Sequence, residues 1–283
     1  PLALAISIMR LLPSNGKILD GEILLDGIDI LKLPEDEMRK VRWNKISVIF
    51  QGAMNALNPV NKVGDQVIEA LNIHEKLTKK EMRDKAEYIF DLVGLDSSWM
   101  KNYPHELSGG MKQRVIIAMS LICNPQLIIA DEPTTALDVV MQDQILYEIN
   151  NLQKKIDISM IYISHDMSVL AEVCDKIAIM YGGKIVESTS TENIIKNSHH
   201  PYTIALVNAF PNIKGPKKQL ISISGVPPDL RNPPLGCYFE PRCPFAKQIC
   251  KKEPPPAVKI SEGHYSYCHY ALDPRIQELQ RMM

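Results

Sequence analysis

The spacing of apolar residues changes several times along the chain, and each change predicts a different element. Leu2, Leu4, Ile6, Ile8, Met9, Leu11 and Leu12 leave almost no polar face. That pattern predicts a helix buried on all sides across residues 2–12. Glu22–Leu25, Asp26-Gly27 and Ile28–Ile30 read as a strand, a tight turn and a second strand. Ile46–Phe50 is a short branched run and predicts a buried strand.

From about residue 63 to 107 the period becomes helical. Val67, Ile68, Leu71 and Ile73 recur at helical spacing, as do Ala86, Ile89, Phe90, Leu92 and Val93, and the stretch reads as a helical insertion. Leu127–Ala130 and Met160–Ile163 are continuous apolar runs with helical patterns between and after them, the mark of parallel strands covered on both faces. Ile177–Met180, Gly182-Gly183 and Ile185–Glu187 predict a hairpin. Beyond Ser188 prolines become frequent and the chain reads as a loop-rich extension. The expected organisation is therefore a mixed-sheet α/β domain over residues 1–190 and a C-terminal extension over 191–283.

Composition narrows the partners. The 283 residues are 45% hydrophobic and 23% charged, with 32 basic against 33 acidic side chains. That balance suggests a globule with a sizeable core and gives no support to nucleic acid as a partner. No apolar run approaches the roughly 20 residues needed to span a bilayer, the longest being Val115–Cys123. Of six cysteines, Cys123 and Cys174 sit in apolar stretches and read as core thiols.

Four stretches carry candidate chemistry. In "LIIADEPTTALD", residues 127–138, an apolar strand ends in Asp131 and Glu132 and is stopped by Pro133. The carboxyl end of a parallel strand is where open α/β sheets place ligands. There the first carboxylate can hold Mg²⁺ and the second can polarise an attacking water. In "LSGGMKQR", residues 107–114, Ser108 is a good N-cap and Gly109 and Gly110 allow close approach. Such a helix start offers free N–H groups and a positive dipole to a phosphate. His165 and Gln51 each follow an apolar strand, one placed to bond a phosphate oxygen and the other to reach a metal or water.

The order and spacing of these stretches resemble the ATP-binding subunits of ABC transporters over residues 1 to about 190. Gln51 is similar to the Q-loop glutamine, and Leu107–Gln113 to the signature motif. Leu127–Glu132 resembles the Walker B strand with its catalytic glutamate, Ala136–Asp138 the D-loop, and His165 the switch histidine. The resemblance implies a P-loop NTPase-like core bearing the ABC helical insertion. It also implies ATP and Mg²⁺ as ligands, with Asp131 and Gln51 toward the metal and Glu132, His165 and Gln51 in hydrolysis. Two subunits, alike or different, would pair head to tail, so that Ser108, Gly109 and Gly110 cap the ATP of the partner. The implied setting is the cytoplasmic face of a membrane, on two transmembrane permease subunits, with a substrate-binding protein outside. An ATPase-incompetent partner subunit and a non-transport ABC ATPase are the alternatives.

Cys237, Cys243, Cys250 and Cys268 are spaced C-x5-C-x6-C-x17-C in a Pro-rich coil. The short C-x₂₋₄-C pairs of zinc ribbons are absent, while four thiolates could hold an iron–sulfur cluster or zinc. "HPYTIALVNAFP" followed by "GVPPDLRNPPLGCYFEPRCPFA" resembles the tail of peptide/nickel importer ATPases. That resemblance implies dipeptides, oligopeptides or nickel as cargo and a [4Fe–4S] cluster on the four cysteines. The phosphate loop G-x-x-x-x-G-K-[ST] occurs nowhere in these 283 residues. In the family it stands directly before a helix like 2–12. The expectation is that the chain is part of a longer ATPase and, as it stands, binds ATP weakly.

Overall fold

The computed structural model describes residues 2–52, 56–134, 139–156, 158–209 and 225–282. They form two compact units, divided between His165 and Asp166.

The first unit opens with α1 (Leu2–Ile8), shorter than the apolar run. Arg10 adopts φ 51°, and the N–H groups of Arg10 and Leu11 turn back to the carbonyls of Ser7 and Ile6. This Schellman closure ends the helix; Leu4 within it and Leu11 after it are exposed, so the helix is not buried on all sides as its apolarity suggested. A hairpin follows, β1 (Leu24–Leu25) with β2 (Ile28–Asp29). Asp26 and Gly27 both take positive φ, 51° and 78°, as a two-residue primed turn requires. Next come α2 (Glu35–Val41) and β3 (Ile46–Ile49).

The helical insertion is α3 (Val63–His74) and α4 (Lys79–Leu92). The start of α4 is fixed by a capping box, in which the Thr78 hydroxyl accepts from the Glu81 N–H and the Glu81 carboxylate accepts from the Thr78 N–H. Then come α5 (Gly109–Leu121), β4 (Leu127–Asp131), α6 (Val139–Ile156) and β5 (Ser159–Ile163).

β3, β4 and β5 form a parallel sheet in that order, with Ile46 opposite Leu127 and Asp131 opposite Ile163. Alternation along the strands serves two cores. Ile49 and Ile128 join Val67, Leu71, Phe90, Val115 and Ile145 on one face. Ile46 and Ile129 join Ala5, Ile8, Met9, Ile30 and Met38 on the other. The insertion thus shares a core with the sheet, and Phe90, fully buried, contributes on the order of 2–3 kcal/mol by leaving water. With both faces covered, the functional groups gather at the sheet's open carboxyl edge.

The second unit begins with α7 (Met167–Val173) and the hairpin β6 (Lys176–Tyr181) and β7 (Lys184–Ser190). It continues through α8 (Thr191–Lys196), α9 (Pro201–Asn208), α10 (Gln248–Lys252), β8 (Val258–Ser261), β9 (His264–Ser266) and α11 (Pro274–Met282). The extension is less loop-rich than its prolines suggest. β9 pairs with β7 and β8 with β9, giving a four-stranded antiparallel sheet in the order β6-β7-β9-β8. That sheet draws strands from both sides of residue 190, where the sequence suggested a boundary.

A fully buried carboxylate holds this unit together. Glu187 on β7 accepts from the His199 N–H at 2.6 Å, the His200 N–H at 3.1 Å and Nε2 of the fully buried His264 at 2.9 Å. Three donors from two segments replace its hydration. No helix among the described residues is long and apolar enough to cross a membrane.

Candidate active site

The site forms where β3, β4 and β5 end. Parallel strands bring their carboxyl ends to one edge, so residues far apart in sequence meet there. Glu132, directly after β4, takes φ 47°, a left-handed conformation uncommon for a residue with a side chain. Its N–H still donates to the Ile163 carbonyl at 2.8 Å, so strand pairing persists while the chain turns.

The turned carboxylate is gripped from both sides. Gln51 Nε2, just beyond β3, donates to Oε2 at 2.8 Å, and Nδ1 of His165, just beyond β5, lies 2.7 Å from Oε1. An ionised carboxylate can only accept, so Nδ1 is the nitrogen that carries the hydrogen. Glu132 is 19% exposed and His165 82% exposed on their side chains, so the acid is screened and the imidazole faces outward. Gln51, Glu132 and His165, three of the residues singled out in the sequence, thus form one cluster.

Asp131 sits beside them in a different state. It is 3% exposed, and its Oδ2 has no hydrogen-bond partner among the described residues. Burial, followed by the negative charge of Glu132, raises its pKa above the ordinary carboxylate value. A buried carboxylate oxygen without a donor is costly unless a cation comes to it. The position therefore fits Mg²⁺, a hard cation that takes carboxylate oxygens. Gln51 Nε2 is engaged with Glu132 in this arrangement.

The signature stretch starts α5. The Ser108 hydroxyl accepts from the Met111 N–H at 3.3 Å. Ser108 and Gly109 are exposed and Gly110 is buried. A Cβ at Gly110 would crowd the flexible end of the Met141 side chain, so glycine allows the two to pack closely. Ser108 and Gly109 thus present a capped, accessible helix start to solvent. Asp138 lies outside the described residues.

Sequence reading passed over two polar residues in the same stretch. Gln113 and Arg114 are both buried. The signal that could have found them is two polar side chains entering an otherwise apolar helix.

Cys237, Cys243, Cys250 and Cys268 all line one small pocket, together with Phe239, Phe245 and Tyr270. The expected cysteine metal site does not appear as a ligand set, because no three His, Cys, Asp or Glu among the described residues are placed to hold a metal ion. Burial pushes the Cys243 thiol up to about 11 and the Cys268 thiol up to about 12. Without a cation beside them burial disfavours the thiolate, the form a metal would hold.

A parallel sheet covered on both faces, with Glu132 held between Gln51 and His165 at its carboxyl edge, is an α/β domain of the kind that places ligands at that edge. Comparison with known proteins makes the assignment specific. Residues 6–135 match the family described as ABC transporter, and residues 186–250 match the oligopeptide/dipeptide transporter C-terminal region. The chain is 46% identical over 263 residues to the oligopeptide transport ATP-binding protein OppD of Bacillus subtilis, covering 92% of this chain and 74% of that protein. It is 45% identical over 265 residues to the dipeptide transport ATP-binding protein DppD of the same organism, covering 93% and 79%. Among solved structures it resembles the dimeric, post-hydrolysis state of the ATP-binding cassette MJ0796 bound to ADP and Pi. That match has a TM-score of 0.58 and 28% identity, over 67% of this chain and 80% of that one. This chain belongs to the ABC transporter ATP-binding family, whose members couple ATP hydrolysis to transport.

Proposed function

We propose that the protein energises the import of dipeptides or oligopeptides across the cytoplasmic membrane as one of two ATPase subunits docked on two permease subunits. The observation that carries this reading is the cluster of Glu132, Gln51 and His165 beside Asp131, whose Oδ2 has no partner among the described residues, in a chain whose tail matches the oligopeptide/dipeptide transporter C-terminal region. The named OppD and DppD relatives favour peptide over nickel as cargo. A substrate-binding protein outside the membrane would deliver it.

The geometry supports the following roles. Asp131 would hold Mg²⁺, which supplies charge neutralisation to the phosphates. Glu132 accepts the proton of the attacking water, a contribution of about 10²–10⁴ in rate. Gln51 and His165 fix both oxygens of that carboxylate, so its orientation is set before substrate arrives. Ser108 and Gly109 offer the α5 N-terminus to a phosphate held by the second ATPase subunit, where free N–H groups and the dipole favour an anion. The dimeric state of MJ0796 supports this pairing.

The assembled transporter in proteoliposomes tests the proposal. Hydrolysis should rise when a peptide-loaded binding protein is added. Stimulation by nickel alone, hydrolysis confined to the second subunit, or co-purification with ribosomes would each contradict it.

For the cysteine pocket we propose a structural soft-metal group, an iron–sulfur cluster in preference to zinc. Four thiols around one pocket support this reading, and the lack of a converged ligand set among the described residues opposes it. Iron and zinc analysis of anaerobically purified protein decides between them, and protein free of both metals would exclude the group.

A further inference from the structure

Gly110, Gln113 and Arg114 occupy positions i, i+3 and i+4 of α5 and so share one helix face. Each engages the chain that follows the catalytic glutamate. Gln113, 3% exposed, donates from Nε2 to the Pro133 carbonyl at 2.5 Å. Gly110 packs against Met141 near the start of α6. Arg114 donates to Glu148 on α6 at 2.5 Å and to the Val93 carbonyl at 2.6 Å. The signature helix therefore grips the chain on both sides of the segment between residues 133 and 141.

Pro133 is itself buried, and a buried carbonyl is costly without a donor. The only donor recorded for it among the described residues is the Gln113 side chain, 20 positions upstream. Its neighbour Glu132 is held at φ 47°. Such a backbone persists only where surrounding contacts over-determine it.

We infer that Gln113 is a positioning residue that ties the signature helix to the catalytic loop and so aligns Glu132 for hydrolysis. The inference rests on the proposed pairing of two ATPase subunits. In that pairing the same helix has one end against the partner's nucleotide and one face against this subunit's own glutamate. Occupation of the signature end in the partner's site is thereby relayed to the orientation of Glu132, without contact between Gln113 and nucleotide.

Gln113→Met removes the donor at nearly constant volume, and Gln113→Glu replaces it with a group that donates only when protonated. ATP hydrolysis by the assembled transporter is measured across pH, with basal and peptide-stimulated rates recorded separately and thermal unfolding as a fold control. Gln113→Met should lower the basal kcat by about 10–100-fold, the scale of a small misplacement of a catalytic group, with little change in KM for ATP. Gln113→Glu should lose kcat as pH rises and recover it as pH falls, relative to the unaltered protein. This arm carries the test if Gln113→Met fails to fold. Unchanged kcat, or a raised KM with kcat intact, overturns the inference, the latter because Gln113 would then support only the signature face. Basal hydrolysis without peptide stimulation in the unaltered transporter counts against the transport reading and leaves the Gln113 result interpretable.

Discussion

Two buried carboxylates, one in each unit, carry opposite meanings. Glu187 is fully buried and accepts three hydrogen bonds from residues of its own unit. Asp131 is nearly as buried, yet its Oδ2 has no partner among the described residues. Buried charge needs compensation, and the described residues supply it for Glu187 but not for Oδ2 of Asp131. The first acid is part of the architecture and the second awaits a ligand. Burial does not distinguish these two acids, whereas the hydrogen bonds they receive do.

The comparison can be broken most sharply at the neighbour of Asp131. Glu132→Gln in the assembled transporter should cut hydrolysis by about 10²–10⁴ while nucleotide binding, followed by fluorescence titration, equals that of the unaltered protein. A variant that hydrolyses ATP normally would remove Glu132 from the chemistry. On the structural side, Glu187→Ala should destabilise the second unit by about 3–5 kcal/mol, because His264 and two buried N–H groups lose their acceptor. Denaturant unfolding followed by probes in each unit should show the loss in the second. A smaller effect is expected at His165, which is largely exposed and holds only one of the two oxygens of Glu132. His165→Ala should lower kcat by about 10–100-fold with stability unchanged, and a change in melting temperature instead would make it structural.

Much of the first unit was legible because local chemistry and tertiary environment agree there. Asp26-Gly27 fixed the hairpin, and the unbroken apolar runs of β4 and β5 announced a sheet covered on both faces. Gln51, Glu132 and His165 were legible only as separate strand ends. Their convergence follows from the parallel sheet, which no single residue reveals. The opening helix was overextended because apolarity persists through Leu12, whereas the turn at Arg10 depends on backbone bonding that hydropathy does not encode. In the second unit β8 and β9 are four and three residues long with weak alternation, so prolines dominated the reading. The pairing of Glu187 with His264 spans 77 positions and leaves no local trace. Gln113 was hidden for a related reason, since its partner is a backbone carbonyl.

The most direct test of the account is the stability of Asp131→Asn measured without nucleotide or metal. The raised pKa of Asp131 means that its charged form is disfavoured in the folded state. The folded protein therefore holds the proton more tightly than the unfolded chain, and ionisation costs stability as pH rises through the ordinary carboxylate range. The account predicts that Asp131→Asn unfolds at an equal or higher temperature than the unaltered protein at neutral pH, while Mg²⁺-dependent hydrolysis by the assembled transporter is lost. A fall in melting temperature comparable to that of Glu187→Ala would contradict it, because Asp131 would then be one more structural acid.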